Sequence, residues 1–95
     1  MKVVLDPQAA DELASQIDYL VDKHALLAAA RLKARCDAFF ENFLARHPRT
    51  GKHIAEKHIW ETWIPGTRLV VWYRFTRDEL QIIRIWHTAQ DREQE

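Results

Sequence analysis

The stretch Arg68–Arg92, RLVVWYRFTRDELQIIRIWHTAQDR, restricts the possible folds more than any other part of the chain. In its first run Leu69, Val71, Tyr73 and Phe75 alternate with Val70, Trp72 and Arg74, the period-two pattern of a pleated strand. The second run, Leu80–His87, is nearly all β-branched or aromatic apart from Gln81, Arg84 and His87, so it belongs deep in a sheet. Thr76-Arg77-Asp78-Glu79 between them is too polar for a core and suits a hairpin connection. A chain that ends in a strong hairpin needs something to cover it.

The upstream sequence supplies that cover. Met1–Leu5 reads as an edge or near-edge strand, and Asp6-Pro7 is a helix start, with Asp placed to cap free N–H groups and Pro suited to the first turn. Ala10, Leu13, Ala14, Ile17, Leu20 and Val21 then recur at helical steps, and cationic Lys23-His24 suits a helix C-terminus. A second amphipathic helix runs from about Leu26 to Ala45, on the stripe Ala29, Leu32, Cys36, Phe39, Phe40 and Phe43, with Arg31, Lys33 and Arg35 on the wet side. His47-Pro48-Arg49-Thr50-Gly51 stops it. After a basic loop carrying Lys52, His53, Lys57 and His58, the run Ile59–Ile64 reads as a strand, and Pro65-Gly66 turns it into the Arg68 strand. The expected order is β-α-α-β-β-β in a single α+β domain spanning 1–95. A helical hairpin over about 7–46 packs on a mainly antiparallel sheet over about 57–87, with a tail at 88–95.

Composition narrows the function. Fourteen basic and fourteen acidic residues cancel, which argues against coating nucleic acid through bulk charge. The charge is uneven, though: residues 1–23 carry two basic and five acidic groups, and residues 24–58 carry seven basic and three acidic. Such a dipolar surface can steer one chosen partner. No apolar run approaches the roughly 20 residues of a membrane span, and MKVVLDPQ lacks a signal peptide's apolar segment, so a cytoplasmic protein is expected. Cys36, the single cysteine, excludes an internal disulfide and reads as a small core hydrophobe. His47, His53 and His58 lack metal-ligand spacing, and no nucleophile elbow or phosphate loop is present, so neither a metal nor a cofactor is expected. Tyr19, Leu20, Leu27, Phe40, Leu44, Trp60 and Trp63 are more large apolar groups than a two-layer domain of this size can place centrally. Either they widen the core, or some of them form an exposed patch that docks a partner.

The hairpin also resembles a family. Ile83-Arg84-Ile85-Trp86-His87, then Thr88-Ala89-Gln90-Asp91-Arg92, preceded by Gly66–Arg74, is similar to the ending of the RelE/ParE toxin superfamily, closest to its ParE branch. The resemblance implies the toxin of a type II toxin–antitoxin module, acting on DNA gyrase by binding it. It further implies neutralisation by a ParD-like antitoxin in a hetero-oligomer, with apolar antitoxin side chains laid on the residues just named. No catalytic residue carries over from the ParE branch; Arg84, His87, Asp91 and Arg92 are the expected target contacts. Asp91 could instead pair with Arg84 or Arg92 and only fasten the tail. The alternative from the RelE branch is a ribosome-dependent mRNA endonuclease, with Arg68, Arg84 and His87 in the positions of its catalytic set. Strand parity sets His87 opposite Arg84 unless a bulge intervenes. A third reading is a non-toxic interaction domain on the same scaffold.

Overall fold

The structure is a computed structural model and describes residues 1–89. Strand β1 (Lys2–Leu5) leads into helix α1 (Pro7–Asp22) and helix α2 (Leu26–Ala38). Strands β2 (Lys52–Ile54), β3 (Ile59–Trp63), β4 (Leu69–Phe75) and β5 (Glu79–His87) follow. They form one sheet in the order β1-β5-β4-β3-β2, antiparallel except where β1 runs parallel to β5. This is the α+β arrangement expected, with one strand more. The basic loop contains β2, a three-residue edge strand whose Lys52 and His53 face solvent. Charged residues on a short edge discourage pairing with foreign strands, and they also hide the strand from any reading based on alternation.

Helix α1 starts at Pro7 as its sequence requires, but Asp6 does not cap it through its side chain. The Asp6 carboxylate instead accepts from Gln81 Nε2 at 2.7 Å, tying the helix start to β5. At the other end His24 adopts a left-handed φ of 59°, and the Ala25 N–H reaches back to the Leu20 carbonyl at 2.8 Å. That 6→1 bond closes the helix and reverses the chain, which brings α2 back against α1. Residues Phe39–Leu44 wind as a π-helix, with Ala45 N–H bonded to the Phe40 carbonyl at 3.0 Å. The wider winding lets Phe39, Phe40 and Leu44 all turn inward.

The core lies between the hairpin and the sheet. Ala9, Leu13, Cys36, Phe39, Phe40 and Leu44 from the helices meet Leu69, Val71, Tyr73, Leu80, Ile82 and Ile85 from β4 and β5. Burial pushes the Cys36 thiol up to about 11, so it stays protonated and apolar at neutral pH. Register explains how Ile82 and Ile85 share a face. Trp72 pairs with Arg84 and Tyr73 with Ile82, so Ile83 is the extra residue of a β-bulge. On the opposite face the Trp72 ring stands edge-on to Trp86, 4.3 Å between centroids, and donates from Nε1 to Glu61 at 2.8 Å.

Candidate functional site

At the Leu69 end of the sheet, the chain between β3 and β4 makes a tight turn. Pro65 and Gly66 occupy its centre, and Gly66 has φ 76°, the value a type II turn requires there. The Ile64 carbonyl accepts from both Thr67 N–H at 3.1 Å and Thr67 Oγ1 at 2.7 Å, and Thr67 Oγ1 accepts from Leu69 N–H at 3.0 Å. Arg35 on α2 lies directly on this turn: its Nη1 points at the Pro65 carbonyl, 3.4 Å away, and any side chain at Gly66 would collide with its guanidinium. Between the turn and the helical hairpin opens a recess of about 650 Å³. Gln16, Tyr19 and Leu20 of α1 line it, with Ala28, Arg31, Leu32 and Arg35 of α2, Gly66–Leu69, and His87 at the end of β5. Three guanidiniums and an imidazole therefore meet there, and among the described residues no carboxylate lines the recess. The His87 imidazole accepts from the Ala89 N–H through Nδ1 at 3.1 Å.

Arg84 lies elsewhere. Strand β1 ends opposite Ile82, so from there on no strand among the described residues pairs with β5 on that side. Glu12 of α1 fills the gap: its carboxylate takes the Ile85 N–H at 2.9 Å, Arg84 Nε at 2.9 Å and Arg84 Nη2 at 2.7 Å. The pair is largely shielded, with 13% and 20% of the side chains exposed. The Arg84 guanidinium also stands over the Trp86 ring, 5.2 Å from its centroid. The bulge precedes Arg84, so His87 keeps the opposite parity. Arg68 and His87 thus share the recess, and Arg84 does not line it.

The fold and this recess can now be set beside known proteins. The family model for the ParE toxin of type II toxin-antitoxin system, parDE, matches residues 3–92. The chain belongs to the ParE toxin family. The structure of a chain from the chromosomal ParDE TA system from P. aeruginosa superposes with a TM-score of 0.66. The two are 18% identical, and the match covers 92% of this chain and 95% of that one, a likeness of fold. No curated protein matches the sequence.

In this ParE-family toxin the seven residues expected to dock an antitoxin divide sharply. Phe40 and Leu44 are 1% and 0% exposed and belong to the core, because the π-helix turns them inward, so no partner can reach them. Trp60 is half-buried, sandwiched between His53 at 4.8 Å and Phe75 at 5.5 Å. Leu20 is also half-buried, at the recess wall. Tyr19, Leu27 and Trp63 are 61%, 64% and 55% exposed. Of the expected target contacts, Arg84 is paired with Glu12 and His87 lines the recess, while Asp91 and Arg92 lie outside the described residues. Sequence reasoning missed Arg31 and Arg35 as site residues, assigning them to solvent. Their i, i+4 spacing, which puts both on one strip of α2, was the available signal. Among the described residues no helix is long and apolar enough to cross a membrane.

Proposed function

We propose that this ParE-family toxin inhibits DNA gyrase by binding it and is neutralised by a ParD-like antitoxin. The observation that favours docking over RNA cleavage is the Glu12–Arg84 pair. A nuclease built from Arg68, Arg84 and His87 needs its cations and its proton-transferring group around one phosphate. Glu12 holds Arg84 at the free edge of β5, and only Arg68 and His87 line a common recess. The gyrase-facing segment is the end of β5 and the chain beyond it: Arg84, His87, Asp91 and Arg92. The antitoxin, in this reading, lays an amphipathic segment on Tyr19 and Leu27 at the turn of the helical hairpin and on Trp63 at the end of β3.

The test uses purified toxin in a gyrase supercoiling assay and an induced culture without antitoxin. The proposal expects inhibited supercoiling that the antitoxin restores, DNA damage signalling in cells, and intact messages. Codon-linked message cleavage with normal supercoiling transfers the function to the nuclease reading. In that case His87→Ala should slow cleavage about 10²–10⁴-fold. Absence of both effects leaves a non-toxic interaction domain.

A further inference from the structure

We propose that the recess between the helical hairpin and the β3–β4 turn is a binding site for a free nucleotide, a nucleoside bearing two or three phosphates. The charge makes the first half of the case. The chain as a whole is neutral, yet Arg31, Arg35 and Arg68 arrive at this one recess from two different elements, His87 joins them from a third, and among the described residues no carboxylate lines it. Two cations outside it have acids at hand: Lys33 bonds Asp37 at 2.7 Å, and Arg84 bonds Glu12. All three arginines are exposed, so their guanidiniums are open to a ligand from solvent, and their planar forks match phosphate oxygens two at a time.

Shape and polarity make the second half. About 650 Å³ lies within the range of small-molecule sites and suits a mononucleotide. The recess has two chemically distinct sides. Arg35 and Arg68 flank the turn, and Tyr19 and Leu20 on α1 offer a ring and an apolar wall. Lys23 stands 5.7 Å over the Tyr19 ring, adding positive charge at its mouth. A ligand that is flat and apolar at one end and polyanionic at the other fits both sides; a bare anion leaves the tyrosine and leucine unused. The bare Gly66 backbone leaves room for the Arg35 guanidinium beside the turn, where its Nη1 lies 3.4 Å from the Pro65 carbonyl. His87 and Tyr19 also belong to the proposed gyrase and antitoxin surfaces, but the inference is tested apart from them, on what the isolated toxin binds.

The experiment is calorimetric titration of the full chain with ATP, GTP, adenosine and inorganic pyrophosphate, at low and high salt. Expected is one saturable site for ATP or GTP in the micromolar to millimolar range, weakened by salt, with adenosine and pyrophosphate each binding at least about tenfold more weakly. Arg31→Gln with Arg35→Gln should weaken it by a further factor of ten or more. Arg31→Gln alone serves as the second variant, since Arg31 makes no described contact that folding needs. A retained thermal midpoint separates lost binding from lost structure. Absence of saturation at millimolar nucleotide, or an unchanged affinity in both variants, overturns the proposal. Pyrophosphate binding as tightly as ATP reduces the site to an inorganic-anion site and removes the nucleoside. An acidic peptide or a single-stranded RNA that displaces ATP at far lower concentration assigns the recess to a macromolecule instead.

Discussion

The two ends of the helix-covered sheet face meet the same problem with opposite chemistry. Each is closed by a loop carrying a glycine pressed against its neighbour. Near the Phe75 end that glycine is Gly51: a Cβ there would come within 2.5 Å of the Glu61 carbonyl oxygen and 2.6 Å of the Tyr73 hydroxyl. The Tyr73 hydroxyl donates to the Pro48 carbonyl at 2.7 Å and accepts from the Gly51 N–H at 3.2 Å, so the polar groups around it are satisfied. Burial pushes the phenol's pKa upward, which keeps it a donor well into alkaline solution. At the Leu69 end the glycine is Gly66, and what presses on it is a guanidinium with only a long contact to one carbonyl. One end is finished as a folded structure. The other presents cations and exposed apolar groups that folding does not use, and such surplus marks where a second molecule is to be found.

The largest test of that contrast is in the closed region. Phe40→Ala removes a ring that is 1% exposed among Cys36, Leu44 and the sheet, and should cost roughly 3–5 kcal/mol in a denaturant titration. A loss under about 1 kcal/mol would mean that Phe40 is available to a partner after all, one of the two alternatives the sequence leaves open. The next effect is smaller. Glu12→Ala removes an acceptor from the Ile85 N–H and from the Arg84 guanidinium and should cost about 2–4 kcal/mol. Glu12→Gln, which keeps an oxygen for Ile85, should recover part of it. Equal losses in the two variants would mean that the charge contributes nothing.

These two residues also show what the sequence reveals and what it hides. Alternation in β4, the Asp6-Pro7 start and the helical stripes are local patterns, so they announced the helical hairpin and the terminal strands directly. Strand β2 gave no signal, because three residues at a charged edge have neither length nor period. Phe40 and Leu44 group with Leu27 in sequence because a surplus of large apolar residues does not say which of them the fold buries. The pairing of Glu12 with Arg84 spans 72 positions and depends on where β1 stops, which no local pattern records. The recess is legible only in half: Arg68 and His87 flank the hairpin in sequence, but Arg31 and Arg35 join them only once α2 folds back.

Tyr73→Phe tests the closed end more gently. It leaves the packing intact and takes partners from the Pro48 carbonyl and the Gly51 N–H, so a loss of roughly 1–2 kcal/mol is expected. Hydrogen exchange should rise at Gly51. If the midpoint of unfolding does not move, water replaces the hydroxyl and the end is less closed than its geometry implies.

Leu27→Ser should disturb folding least. The side chain is 64% exposed on the first turn of α2, and serine there changes only a surface and a small helix preference, so stability should shift by less than about 0.5 kcal/mol. Binding should respond differently. A leucine that anchors an antitoxin segment loses its apolar contact on conversion to serine, about 1–3 kcal/mol, or roughly 5- to 150-fold in affinity, read by titrating the ParD-like antitoxin into toxin of unchanged thermal midpoint. Trp63→Ser repeats the test on another exposed anchor, at the end of β3. If both variants bind antitoxin like the parent, the open end owes its apolar surface to something other than that partner, and the contrast between the two ends must be explained by the recess alone.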